Sequence, residues 1–143
     1  MKLLISIVDS KALAATVKEE LGKKIAACRG EMSLRQLALQ VGIAPSNMKY
    51  IEDGVNAPTA EVYGKLINIL KPSEEVRQAM DMLYMSLRAT PPPDICEWIL
   101  KNPEVIACIR KTRGLNLMPH QIELVETLFD SFDKENAHFG MYD

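Results

Sequence analysis

The side chains best suited to recognition chemistry lie in residues 45–53 of this sequence. Four polar residues in this stretch are spaced as i, i+3, i+4 and i+7, so a helix would present them on one side: Ser46, Lys49, Tyr50 and Asp53. Asn47 falls at the edge of that side. Ser, Asn and Tyr can bond base edges or phosphates, and Lys can neutralise a phosphate. The spacing predicts a helix whose polar face can contact nucleic acid.

Two short helices joined by a sharp turn are needed to hold such a face. Ser33 can cap the first helix, and Gly42 can take the positive φ that reverses the chain. Pro45 suits the first turn of the second helix, and Gly54 ends it. The apolar positions share one side of each helix: Leu37, Ala38, Val41, Met48 and Ile51. Residues 33–54 therefore have the pattern of a helix-turn-helix.

Residues 21–70 resemble the Cro and phage-repressor type helix-turn-helix domain, the XRE family. The resemblance is carried by the following residues: Leu37, Ala38, Gly42, Ile43, Ile51, Glu52, Asp53, Gly54, Pro58 and Thr59. It implies a five-helix domain that binds operator DNA as a dimer. It also implies that the major groove faces five residues: Pro45, Ser46, Asn47, Lys49 and Tyr50.

The chain departs from the family at two phosphate-contacting positions. Leu34 stands where the family often has Gln, with Arg35 and Gln36 following it. Val55 and Asn56 stand where the family often has Lys or Arg. Both departures weaken the binding to DNA phosphates that the resemblance implies. We predict that DNA contacts at these two places come from Ser33, Arg35, Gln36 and Asn56.

The distribution of charge separates the chain into two parts, although the net charge of the 143 residues is −2. Residues 11–71 carry nine Lys or Arg and six Asp or Glu, a net charge of +3. Residues 72–143 carry seven and twelve, a net charge of −5. This asymmetry favours a DNA-binding head followed by an acidic, partner-binding body.

Cofactor, metal and membrane functions have no support in the sequence. The three cysteines have no CxxC spacing, so we expect each to be a small buried apolar residue: Cys28, Cys96 and Cys108. Neither His120 nor His138 has a matching pair of close cysteines for zinc. No apolar run approaches the ~20 residues of a transmembrane helix, and we predict a cytoplasmic protein.

The N-terminal segment leaves two interpretations open. Residues 3–8 are apolar and suit either a short strand or the lead-in to a helix packed on its own domain, and the second is favoured. A helix then begins near Asp9 or Ser10, ends near Arg29 and carries Leu13 on its apolar face. Gly22 marks a candidate bend or break in it. Three lysines on its other side suit either solvent or phosphate: Lys18, Lys23 and Lys24.

Further helices are predicted over residues 60–70 and 74–89. Residues 91–93 are three prolines, which favour a stiff extended linker. Beyond them, helices are predicted over 94–101, from Asn102 to Gly114, and over 119–132. We therefore predict an all-α protein with a lambda-repressor-like head over residues 1–90 and a small helical C-terminal domain over 91–143.

These features favour a sequence-specific transcriptional regulator, a repressor in particular, that binds an inverted repeat as a homodimer. Surplus apolar residues after position 72 suggest that the dimer interface lies there, and that a regulatory protein could bind the C-terminal helices. The alternative is a protein-binding module, antitoxin-like or antirepressor-like, that keeps the fold without strong DNA binding. No phosphate loop, His-centred triad or paired-carboxylate site appears, so we predict that the chain is not an enzyme.

Overall fold

The computed structural model describes the backbone of residues 2–138 and the side chains of residues 11–137. These residues form eight α-helices and no β-strand, which confirms the all-α class. The helices are α1 (Lys2–Arg29), α2 (Leu34–Val41), α3 (Pro45–Glu52), α4 (Ala60–Leu70), α5 (Glu74–Arg88), α6 (Pro93–Lys101), α7 (Val105–Leu115) and α8 (Pro119–His138). In this described range, no helix is both long and apolar enough to cross a membrane.

Three helices begin at a hydroxyl cap, and the first of these caps, Ser33, is the predicted one. The Ser33 hydroxyl accepts a hydrogen bond from the Gln36 N–H at 3.1 Å, at the start of α2. Thr59 and Ser73 accept in the same way at the starts of α4 and α5. Each bond satisfies one of the backbone donors that the first turn of a helix leaves unpaired.

Helix α1 is longer than predicted and has no break. Residues 3–8 belong to it, so the strand interpretation is wrong. The helix also continues through Gly22, because this glycine is needed for close contact and not for a break. It is buried, and a Cβ there would overlap the Glu52 carbonyl oxygen. Leu13, predicted on the apolar face, is 65% exposed.

The chain forms two compact units that divide between Leu100 and Lys101, one helix later than the predicted boundary. The proline run does not form an extended linker, because Pro92 is buried and Pro93 begins α6. An ion pair joins α6 to α5, with Arg77 Nη2 at 2.7 Å from Asp94 Oδ2. This contact explains why α6 belongs to the first unit.

The first unit is built on α1–α5. Helix α1 packs on α3, α4 and α5, and α2 packs on α3 and α4. The core residues are Leu21, Ile25, Leu37, Ala38, Val41, Met48, Ile51, Tyr63, Leu66, Met80 and Tyr84. Tyr63 and Tyr84 stack with ring centroids 4.2 Å apart, which joins α4 to α5.

The second unit, residues 101–143, is described here through α7 and α8. Gly114 lies inside α7 and does not end it; Asn116, with φ +48°, follows as the cap. Helix α8 continues to His138, beyond the predicted end near residue 132. No described side chain in this unit is buried. Cys108 is exposed and Cys28 and Cys96 are half-buried, so the expectation of buried cysteines is wrong for Cys108.

Replacing Tyr63 with phenylalanine is expected to lower the free energy of unfolding by about 1.5–3 kcal/mol, the usual range for a hydrogen bond to a charged group. The Tyr63 hydroxyl donates to Asp81 Oδ1 at 2.5 Å. Burial and this bond raise the pKa of Tyr63 above its ordinary value. An unfolded tyrosine ionises near pH ~10, so this contribution is present below that pH and is lost as the pH rises above it.

Urea unfolding at pH 7 and at alkaline pH measures both effects. The exposed Tyr50→Phe variant is the matched control, and we expect it to unfold like the parent at pH 7. The parent should lose more stability than Tyr63→Phe above pH ~10. Equal losses in the two proteins would show that Tyr63 does not cause the alkaline loss.

Candidate nucleic-acid interface

The turn between α2 and α3 follows from a glycine and a proline. Gly42 has φ +83°, in the left-handed region. The N–H groups of Gly42 and Ile43 both donate to the Ala38 carbonyl, at 2.9 and 3.0 Å, and these bonds end α2. Pro45 is the first residue of α3, where a backbone N–H would have no partner within the helix, so its absence costs no hydrogen bond. The predicted turn of the 33–54 motif is confirmed.

One face of each motif helix is fully covered. The buried residues are those predicted from the apolar spacing: Leu37, Ala38, Val41, Met48 and Ile51. Because Met48 and Ile51 fix one side of α3 in the core, the opposite side faces solvent. Tyr50, on that side, is 51% exposed.

The predicted DNA-contacting residues lie at three places on the surface. All except Asn47 are exposed, and Asn47 is half-buried. The exposed face of α3 brings together Pro45, Ser46, Lys49 and Tyr50. The first turn of α2 and its cap hold Ser33, Arg35 and Gln36, and the loop after α3 holds Asn56.

Several of these side chains already have partners within the chain. Lys49 Nζ lies 2.8 Å from Asp53 Oδ1, so the one cation of the α3 face is paired with a carboxylate. Asn56 Nδ2 donates to Asn47 Oδ1 at 3.4 Å, which ties the loop to α3. The Lys49–Asp53 pair agrees with their i, i+4 spacing, whereas the Asn56–Asn47 bond does not follow from the spacing that predicted the face.

Ser33 and Gln36 form a capping box at the start of α2. The Ser33 N–H donates to Gln36 Oε1 at 3.0 Å, in addition to the Gln36 N–H bond to the Ser33 hydroxyl. Both side-chain oxygens are therefore acceptors in the box. The Ser33 O–H and the Gln36 amide NH₂ remain donors, and donors are what a phosphate requires.

Helix α1 fixes the C-terminal end of α3 through its backbone. A Cβ on Gly22 would lie 2.6 Å from the Ile51 carbonyl oxygen, and one on Gly54 would lie 2.6 Å from Glu19 Cα. Gly54 also has φ +76°, which glycine adopts without strain. The two glycines therefore allow α1 and the end of α3 to approach within backbone contact.

A bidentate ion pair joins α1 to the end of α3. Arg29 Nε and Nη2 donate to Glu52 Oε1 and Oε2, at 2.6 and 3.1 Å. Arg29 Nη1 also donates to the Met32 carbonyl at 2.7 Å, before α2. The Glu52 hydrogen bond raises the pKa of Arg29 above its ordinary value. Neither residue was predicted to position the site, because the two lie 23 positions apart.

Arg88, at the end of α5, holds the loop that follows α3. Its Nε and Nη2 donate to the Pro58 carbonyl at 3.0 and 2.8 Å, and Nη2 donates to the Ala57 carbonyl at 2.9 Å.

A groove of about 550 Å³ beside this loop is lined by Asn47, Asn56, Arg88 and Lys18, among others. Lys18, one of the three lysines that suit either solvent or phosphate, therefore shares this groove with Asn47 of α3, whereas Lys23 is paired with Glu20.

Within the described residues, no group of three His, Cys, Asp or Glu side chains is placed to hold a metal ion. The chain matches no protein-family model, no curated protein and no solved structure. Its function is therefore inferred from its own residues.

Proposed function

We propose that this chain is a sequence-specific DNA-binding regulator whose α3 lies in the major groove of operator DNA. The observation that carries the proposal is the exposed polar face of α3, on a helix whose other side is buried and whose C-terminal end is fixed by α1. The packing of α1–α5 supports a lambda-repressor-like arrangement. We infer a repressor that binds an inverted repeat as a homodimer, since one head reaches one half-site.

Each side chain has a chemical role in this proposal. Ser46 and Tyr50 donate to or accept from base edges, and Lys49 neutralises a phosphate. Ser33 and Gln36 donate to a second phosphate at the start of α2, where backbone N–H groups and the helix dipole also favour an anion. Arg35 and Asn56 flank these two positions.

The test is titration of DNA, selected from random sequence, with the parent and three variants. Lys49→Ala should weaken binding to all sequences and reduce the slope of log K against log salt by about one. Ser46→Ala and Tyr50→Ala should instead reduce discrimination between operators by about 1–3 kcal/mol per lost base contact. The matched control is Lys65→Ala, which also breaks an exposed i, i+4 ion pair, and it should bind like the parent.

Asp53→Asn gives the opposite expectation. Removing this carboxylate releases Lys49 from its 2.8 Å ion pair and removes a negative charge beside the DNA. We therefore expect tighter binding, with the largest gain at low salt. If all these variants bind DNA as the parent does, the polar face of α3 is not the surface that contacts DNA.

A protein-binding module of antitoxin or antirepressor type is the second candidate. The Lys49–Asp53 pair favours it, because it leaves the exposed face of α3 without an uncompensated cation. Leu34 and Val55 favour it too, because neither side chain can contact phosphate through a hydrogen bond. Failure of the selection to yield any DNA bound in a salt-dependent way would support this candidate over the first.

A further inference from the structure

Helix α8 carries an apolar face that the described residues of the chain leave largely exposed. Four residues spaced by three, four and three form this face: Ile122, Val125, Phe129 and Phe132. Phe129 is 62% exposed and Phe132 is 47% exposed. The spacing is that of the contact positions of two paired helices. We call these four residues the α8 seam.

An acidic row runs along one side of the α8 seam. Each seam residue is followed in the chain by an acid, and all four acids are exposed: Glu123, Glu126, Asp130 and Asp133. One residue is a rotation of about 100° around a helix, so the acids form a parallel row on one flank of the seam. The row is about 15 Å long, at 1.5 Å per residue.

Helix α7 carries the complementary pattern. Its apolar residues include Val105, Ile106, Ile109 and Leu115, and the last three are exposed. Arg110 follows Ile109 by one residue, and Arg113 follows Thr112 by one. Both cations therefore lie on one flank of α7, as the acids lie on one flank of the α8 seam. The helix contains no acidic residue and is about 16 Å long, close to the length of the acidic row on α8.

The handedness of the α-helix decides how the two patterns can meet. When two helices face each other in antiparallel fashion, residues that follow the contact positions by one lie on the same side of the pair. In a parallel pair they lie on opposite sides. Only an antiparallel pairing of α7 with α8 therefore brings the basic flank against the acidic flank.

We propose that a second copy of this chain covers both faces, with α7 of each copy lying antiparallel to α8 of the other. Such a contact is self-complementary, so one twofold axis generates it twice. Apolar burial by the two seams supplies the stabilisation, and the charged flanks select the partner. An antiparallel pairing of α8 with α8 is disfavoured because it places two acidic rows side by side.

This interface would provide the dimer that the proposed operator recognition needs, but it is tested without DNA. The parent is expected to sediment as a dimer at micromolar concentration. Glu126→Lys with Asp130→Lys should raise the dimer Kd at least about tenfold, because cations would then face cations in both contacts. Arg110→Glu with Arg113→Glu should raise it equally, because acids would face acids.

The decisive experiment is to mix the two charge-reversed proteins. In a mixed pair, each altered helix meets its opposite charge, so a heterodimer should form where neither protein dimerises alone. All four substituted residues are exposed, and circular dichroism of each variant checks that the helices are kept. The control is Lys111→Glu, which lies two residues after Ile109 and so away from the contact; it should dimerise like the parent.

Three results would overturn the proposal. They are a monomeric parent, charge-reversed variants that remain dimeric alone, and a mixture that stays monomeric. Failure of DNA binding in any of these proteins leaves the inference standing, because sedimentation measures association alone. Loss of the heterodimer, conversely, leaves the role of α3 untouched.

Discussion

Replacing Arg29 with methionine is expected to lower the free energy of unfolding by about 2 kcal/mol, since it removes the charged hydrogen bonds of a half-buried ion pair, and such bonds typically contribute about 1.5–3 kcal/mol. The Glu52 side chain is only 6% exposed, so its carboxylate would be left nearly buried without a cation. The variant also loses the hydrogen bond to the Met32 carbonyl. For a domain of this size, that change lowers the unfolding midpoint by roughly 5–10 °C, measured by thermal and urea unfolding.

Two companion variants separate the ion pair from other causes. Replacing both Arg29 and Glu52 with methionine should recover part of the loss, because no charge is then left buried. Lys65→Met, which breaks the exposed pair with Glu61, should change stability by less than about 0.5 kcal/mol. A loss at Arg29 no larger than that at Lys65 would mean that Glu52 is solvated or paired in another way.

Gly22→Ala is expected to destabilise the protein by about 2–3 kcal/mol, near the upper end for overpacked sites. A methyl group there would overlap the Glu52 carbonyl oxygen and crowd that of Ile51. Both neighbours are backbone atoms of α3, so relief requires that α1 and α3 move apart. The expected readouts are a lower urea midpoint and, under the proposed function, weaker operator binding, since the end of α3 would shift.

Gly64→Ala is the matched control, because Gly64 also lies inside a helix. A Cβ at Gly64 would meet Pro93 at 3.8 Å, which is an ordinary contact. Alanine should therefore stabilise the protein by about 0.5–1 kcal/mol through helix propensity alone. If Gly22→Ala were also stabilising, the close approach of α1 to α3 would be disproved.

The parts of the fold that the sequence predicted correctly are those set by neighbouring residues. Ser33, Gly42 and Gly54 act within one turn of the positions they cap or reverse, so their residue types are sufficient evidence. The same holds for the exposed face of α3, because helical spacing alone separates it from Met48 and Ile51. The predicted face and turn therefore correspond closely to the structure.

The features that the sequence did not predict depend on contacts between residues that are far apart in the chain. Glycine is a residue type that often breaks a helix, so Gly22 was predicted as a bend or break. Its role is instead to let α1 approach the carbonyl groups of α3. The Tyr63 bond to Asp81 spans 18 residues, and the Arg77 pair with Asp94 that joins α6 to α5 spans 17. No local pattern identifies such partners. The Lys49–Asp53 pair is different, because the two residues are four positions apart and helical spacing alone places them in reach of each other.

The hydrogen bonds from Arg88 to Pro58 and Ala57 have a consequence for local unfolding. The first half of the loop after α3 is held by bonds from the Val55 and Asn56 N–H groups to the Tyr50 carbonyl, and its second half is held by these bonds from Arg88. Opening of the last turn of α5 would release the second half of the loop as well. The backbone amides of Ala57 and Thr59 should therefore exchange with solvent deuterium together with the end of α5, whereas those of Val55 and Asn56 should follow α3. Any event that unwinds the end of α5 would loosen the chain just beyond α3 without touching α3 itself.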